Sequence, residues 1–294
     1  MQNPDLPTSA PPRPCTAPQQ KAPKGAVDTH IHMLAAPEEF APSPSRVENP
    51  APLDMDGFLA AYRAQCETLG IERTVVVHSI VYGAENAVTI EAIRRLGPDA
   101  RGIGLVKDGA GPRALDALAE AGIKGIRLNY VHGGVLSWAG AQALAPALAE
   151  RDMHLQMLVN ADKHMSEIAE AVRRFPCPVV FDHIGWPNVA AGPSEPGFQT
   201  MTELVREGAA YVKLSGLYRT STAPWQDADP LVAALVEANP ERCLWGSDFP
   251  YIMLADAEMP DAGAALDAFH RVVTSYADRQ TILVDAPAVL YGFA

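Results

Sequence analysis

Val27-Asp28-Thr29-His30-Ile31-His32 is an apolar-led run that ends in two histidines spaced two apart. In an extended strand, residues two apart share a face, so both imidazoles leave the strand on one side. The same design recurs along the chain: Phe181-Asp182-His183 ends another apolar run, and Leu244-Trp245-Gly246-Ser247-Asp248 ends a third. Polar residues gathered where strands stop belong to folds that build their sites at one end of a parallel sheet.

Working outward, eight such runs are expected as strands: 26–32, 74–79, 100–106, 125–129, 155–159, 178–183, 210–214 and 242–246. Alanine- and leucine-rich stretches with helical spacing alternate with them, at about 54–69, 85–96, 112–121, 139–151, 162–174, 198–208, 228–239 and 261–276. Runs such as Thr74–Val77 and Pro178–Phe181 are almost continuously apolar, as in parallel strands covered on both faces. Eight strand–helix units predict an α/β fold of the distorted (β/α)8 TIM-barrel type. One domain is expected over 25–294, preceded by a proline-rich N-terminal arm over 1–24, where seven prolines and no apolar run preclude a packed core. Segments 33–53 and 184–197 follow strands and are candidate substrate walls.

The composition excludes several classes. A net charge of −12, with the acidic residues dispersed, opposes binding to nucleic acid or an anionic membrane. The four cysteines form no CxxC pair and lack zinc-site spacing, so free thiols are expected. No apolar stretch is long enough to span a membrane and the first residues do not read as a signal peptide, so a cytoplasmic location is the expectation. There is no GxSxG elbow, Walker loop or HExxH motif.

The chemistry-bearing candidates are His30, His32, His183 and Asp248. They could bind one divalent metal, or work without one, the imidazoles polarising a carbonyl while Asp248 takes a proton. The bland alternative is histidines that only pin the barrel core. Arg127 lies inside the apolar strand Gly125-Ile126-Arg127-Leu128-Asn129, where desolvation is costly unless an anion or carboxylate meets it. Arg219 is a second candidate clamp. Ser79, Tyr82, Asn86 and Asn160 are candidate partners for substrate hydroxyls, Asn86 being equally suited to cap a helix.

The segments DTHIH, GIRLN, FDHIG, VKLSG and WGSDFP, in that order over residues 25–293, resemble the amidohydrolase superfamily. More narrowly, they resemble its lactonase branch, which includes 2-pyrone-4,6-dicarboxylate hydrolase and D-galactarolactone isomerase. The resemblance implies Asp248 as general base and His30, His32 and His183 as its companions. Fully metal-loaded members carry a lysine or carboxylate on strand four and a histidine on strand five; here strand four offers Asn129, and His154 lies at the start of strand five, the wrong end for ligation. No resident metal is therefore expected, and a single zinc or manganese ion would have His30, His32, His183 and Asp248 as ligands. Gly133, Tyr82 and Leu158 depart from the pyrone-dicarboxylate pattern. The expected substrate is a small carboxylated sugar lactone such as galactarolactone, in carbohydrate metabolism, either hydrolysed or isomerised. The alternatives are pyrone-dicarboxylate hydrolysis and a non-catalytic barrel that binds a carboxylate ligand. A homo-oligomer is compatible with the sequence.

Overall fold

The computed structural model describes residues 3–254 and 258–294. Eight parallel strands stand in sequence order: β1 (Val27–Ile31), β2 (Arg73–Val77), β3 (Ala100–Gly104), β4 (Ile123–Asn129), β5 (His154–Leu158), β6 (Val179–Phe181), β7 (Ala210–Leu214) and β8 (Cys243–Trp245). Helices α1 (Met55–Leu69), α2 (Ala87–Leu96), α3 (Pro112–Glu120), α4 (Trp138–Ala149), α5 (Ala161–Arg173), α6 (Pro196–Arg206), α7 (Asp229–Ala238) and α8 (Ala262–Val272) follow the strands in turn. The predicted α/β barrel is the observed architecture, with strand limits within two or three residues of expectation.

Alternation along the strands separates two cores. Val75 and Val77 join Val27, Ile103, Val180, Tyr211 and Leu244 in a cluster on the barrel axis, whereas Val76 packs outward with the helices. Burying both faces is what makes β2 read as an unbroken apolar run. Helix limits follow local chemistry. The Asp54 carboxylate accepts from the Gly57 N–H at the start of α1, and Gly70 ends that helix at φ 82°.

The ring is not sealed by a ladder between β8 and β1 among the described residues. Instead, Thr29 Oγ1 donates to the Trp245 carbonyl at 2.7 Å, and the chain beyond β8 does the rest. The Asp248 N–H donates to the His30 carbonyl at 2.8 Å, and the His32 N–H to the Phe249 carbonyl at 2.6 Å. This seam is the distortion of the barrel, and it ties Asp248 directly to the histidine strand.

Two features lie outside the sequence expectations. A C-terminal helical segment follows α8: α9 (Tyr276–Gln280), a wide turn over Thr281–Asp285 and α10 (Ala286–Tyr291), with Ala286 and Tyr291 entering the axial cluster. The 3–24 segment has little regular structure but is bonded to the barrel. The Thr16 N–H and Oγ1 donate to Asp261, the Gln19 N–H to Asp267 and the Ala22 N–H to the Leu69 carbonyl.

Candidate active site

His30 and His32 do not reach the barrel mouth by simple alternation. Val27 faces the axis and Ile31 faces the helices, so parity reverses between them, where the β1–β2 register shifts between Asp28 and Ile31. That irregularity turns His30 and His32 inward and Asp28 outward, a use to which bulges beside active sites are often put. The Asp28 carboxylate then accepts from Ser247 Oγ at 2.5 Å and from the Ser247 N–H at 2.9 Å, gripping the turn that carries Asp248. Burial raises its pKa to about 6.

Asp248 is at the centre of the site and fully buried, with φ 65°. Its Oδ2 accepts from Tyr218 Oη at 2.7 Å, Arg219 Nη2 at 2.8 Å and Arg219 Nε at 3.0 Å. Its Oδ1 has no hydrogen-bond partner and lies 3.7 Å from His30 Nε2 and 3.6 Å from His32 Nε2. His183 Nε2 is 3.8 Å from Oδ2. The structure thus brings together all four residues expected at the centre. Two glycines make room: a Cβ at Gly216 would strike the His183 ring, and one at Gly246 would meet the His30 backbone.

Ring orientation fixes the proton of His32. His32 Nδ1 faces the Val77 carbonyl at 2.8 Å, which can only accept, and His30 Nδ1 faces Asp182 Oδ1 at 3.2 Å. The neutral His32 ring therefore carries its proton on Nδ1 and presents a lone pair at Nε2, whereas His30 Nδ1 stands between the Asp182 acceptor and the Lys213 ammonium, 3.4 Å away, and is compatible with either tautomer. Burial lowers the pKa of His30 and His32, and takes His183 down to about 3, so the imidazoles are neutral near pH 7. Burial works against the Asp248 charge, but the Arg219 guanidinium overcomes it and holds the carboxyl well below the usual range.

Beneath His30 lies a buried polar layer. Lys213 Nζ donates to Gln156 Oε1 at 2.7 Å and to the Thr29 carbonyl at 2.8 Å, and lies 3.6 Å from Asp182 Oδ1. Gln156 Nε2 donates to Asp182 Oδ2 at 3.1 Å. Burial lowers the Lys213 pKa to about 8. Lys213, Asp182 and Gln156 were not among the sequence candidates. The signal that could have found Lys213 and Asp182 is the one that singled out Arg127, a charged residue in or at the end of an apolar strand, and Gln156 is its neutral polar counterpart.

Above the centre opens a cavity of about 380 Å³. Its lining combines Arg127, Arg219, His32, His183, Tyr218, Trp186, Asn129 and His132 with Ile80, Leu158, Ile252, Met253 and Leu254. Arg127 is buried and donates from Nη1 to the His78 carbonyl at 2.5 Å, a carbonyl rather than a carboxylate. The remaining candidates are placed elsewhere. Tyr82 Oη is engaged with the Ala35 N–H at 2.9 Å and the Ala35 carbonyl. Asn86 bonds the backbone of Leu105 through both its amide atoms and makes no side-chain cap to α2. Ser79 Oγ accepts from the Val81 N–H, and Asn160 Nδ2 donates to the Trp186 carbonyl. None of these four lines the cavity. Their polar atoms satisfy nearby backbone groups.

His30, His183 and Asp248 could hold a metal ion, their ligand atoms lying within 4.8 Å of one another. His30 Nε2 and Asp248 Oδ1 are buried polar atoms without hydrogen-bond partners, which fits a divalent cation. No helix among the described residues is long and apolar enough to cross a membrane.

The chain matches the amidohydrolase family model over residues 27–293. It is 34% identical to 4-sulfomuconolactone hydrolase of Rhizobium radiobacter, over 95% of this chain and 96% of that protein. It is 32% identical to 2-pyrone-4,6-dicarboxylate hydrolase of Comamonas testosteroni, over 93% of this chain and 92% of that protein. Among solved structures it shares its fold with a probable 2-pyrone-4,6-dicarboxylic acid hydrolase from Acinetobacter baumannii with citric acid bound. The TM-score is 0.77 and the identity 20%, over 92% of this chain and all of that one. The protein belongs to the amidohydrolase family and is an enzyme of its lactonase and isomerase branch.

Proposed function

We propose that this enzyme hydrolyses a small, unsaturated, carboxylated lactone of the muconolactone or pyrone kind, with Asp248 as general base. The observation that carries this reading is the cavity's mixed lining, in which Arg127 and Arg219 occur together with Ile80, Leu158, Ile252 and Leu254. A guanidinium binds a carboxylate bidentately, and apolar lining residues suit a ring with few hydroxyls. The sugar-lactone expectation relied on Tyr82, Asn86 and Asn160, whose polar groups are engaged with backbone. The three relatives above 30% identity are likewise named for a muconolactone or a pyrone, while a sugar lactonase, L-fucono-1,5-lactonase, is 30% identical over 67% of this chain.

In this reading a water molecule gives its proton to Asp248 Oδ1, the oxygen without a partner, as its own oxygen attacks the lactone carbonyl carbon. The ring C–O bond then breaks and the departing oxygen takes the proton back from Asp248, leaving a hydroxy acid or, where the ring oxygen is on an alkene carbon, the enol of an oxo acid. His32 presents an Nε2 lone pair and so orients the water as an acceptor, and in that form it cannot polarise a carbonyl by donation unless protonated. Charge on the carbonyl oxygen falls to the guanidinium groups. A divalent ion on His30, His183 and Asp248, when bound, would supply Lewis-acid polarisation at the same place.

The test is a lactone panel run in ¹⁸O-labelled water, with ring opening followed by proton NMR, label by product mass spectrometry, and metal content measured on the same protein. Sulfomuconolactone, carboxymuconolactone, pyrone-4,6-dicarboxylate and galactarolactone form the panel. Label in a ring-opened product from one of the first three is expected. Turnover of galactarolactone alone would overturn the substrate assignment, and an unlabelled lactone product would make the enzyme an isomerase.

A further inference from the structure

The segment after β1, expected as a substrate wall, contributes no residue to the cavity lining among the described residues, but it braces residues that do. Its Ser43 N–H donates to the Val81 carbonyl at 2.7 Å and its Ala35 backbone is held by Tyr82 Oη, which fixes the loop carrying Ile80. At its other end, the buried carboxylate of Glu48 accepts from the Met253 N–H at 2.9 Å. Met253 stands between Ile252 and Leu254 on the cavity wall, in a turn where Tyr251 and Met253 are both left-handed, at φ 66° and 59°. Such residues persist only where their surroundings hold them.

The brace is itself clamped. The Asn49 N–H donates to the Pro7 carbonyl at 2.8 Å, and the Asn49 carbonyl accepts from the Ser9 N–H at 2.9 Å. Asn49 Nδ2 donates to the carbonyls of Asn3 at 2.7 Å and Leu6 at 3.2 Å, and Oδ1 accepts from the Asn3 N–H at 2.9 Å. Asn49 is 1% exposed, and its Oδ1 also accepts from Arg46 Nε at 3.1 Å and Nη2 at 2.9 Å, so loss of the bonds to the arm leaves the buried Nδ2 without those acceptors.

We propose that Glu48 and Asn49 are positioning residues through which the N-terminal arm sets the apolar wall of the substrate cavity, and hence substrate affinity. The arm is then a working part of the site, 252–254 being the wall it holds. This rests on the cavity being the substrate site.

The test uses the full chain with Glu48→Ala, Glu48→Gln and Asn49→Asp, reading hydrogen exchange across 249–254 and then kinetics. Glu48→Gln keeps an oxygen acceptor for the Met253 N–H, whereas Asn49→Asp loses both donations to the arm. Exchange at 249–254 should accelerate about tenfold in Glu48→Ala and Asn49→Asp, with β7 unchanged and Glu48→Gln close to wild type. KM should rise about tenfold in the same two variants, with kcat within about twofold. Unchanged exchange in Glu48→Ala and Asn49→Asp would overturn the proposal, as would a loss of kcat at constant KM. The exchange measurement needs no substrate, so a wild-type enzyme inactive on every lactone tried would count against the functional reading alone.

Discussion

Arg219 grips Asp248 through Nε and Nη2 on the same oxygen, Oδ2, at 3.0 and 2.8 Å, and leaves Oδ1 open toward His30 and His32. The contact divides the carboxylate into a held oxygen and a free one. It is also the largest influence that lowers the Asp248 pKa against its burial. Removing it should move the acid limb of the kcat/KM profile to higher pH, because a carboxyl that loses its cation is protonated more readily. Arg219→Met is expected to show that shift and about a hundredfold loss in kcat/KM, with Arg219→Lys recovering little because a point charge cannot reproduce the fork. An acid limb unmoved in Arg219→Met would show that the pair does not set the base.

Arg127 is placed for a different task. Its bonded partner is the His78 carbonyl, so its remaining N–H groups are available to an anion in the cavity. Arg127→Met should raise KM by about 10–100-fold, as for the loss of a hydrogen bond to a charged group worth about 1.5–3 kcal/mol. A substrate with its carboxylate methylated should be nearly indifferent to the same substitution. Equal sensitivity of acid and ester would remove Arg127 from the carboxylate site.

Lys213 is fully buried beneath His30 and within 3.6 Å of Asp182. Lys213→Met strands a buried carboxylate and should cost about 3–5 kcal/mol of stability. Denaturant titration reads this directly. A loss under about 1 kcal/mol would mean that His30 and Gln156 satisfy Asp182 without the lysine.

How far the site was legible in the sequence follows from where its polar residues sit. His30, His32, His183 and Asp248 are conspicuous because they interrupt apolar runs at strand ends, and the structure places them together. Arg127 is conspicuous for the same reason. Lys213 and Asp182 carry the same signal, but they act one layer down, where only the fold shows that they meet. Tyr82, Asn86 and Asn160 illustrate the opposite failure. Their types suit a hydroxylated ligand, yet each lies beside backbone groups that would otherwise be unpaired, and these claim the side chains first. The inward turn of His30 depends on a register shift that strict alternation does not predict. The C-terminal helices escaped because Ala286–Tyr291 is too short for a periodic signal and gains its stability by plugging the barrel.

The buried imidazoles also set the pH range of the fold. His78 is lowered to about 4 and both His154 and His183 to about 3, in each case chiefly by burial. The native state then binds fewer protons than the unfolded chain between these values and about 6.5, so stability falls as pH drops through that window. Each histidine contributes up to about 1.4 kcal/mol per pH unit. Asp28, raised to about 6, works in the opposite sense between its ordinary value and 6 and offsets part of the loss. Denaturant midpoints at pH 7, 6, 5 and 4 should decline steadily, and a flat profile would contradict neutral burial of these rings.

The central claim is that Asp248, through its unpartnered oxygen, activates water against a carboxylated lactone. The most direct measurement compares wild type with Asp248→Asn on the lactone that the panel identifies, following ring opening by absorbance and ligand binding by calorimetry, with and without added zinc. The account predicts that kcat falls by about a hundredfold or more while affinity for the ring-opened product changes less than about tenfold. Equal turnover by the two proteins would contradict it.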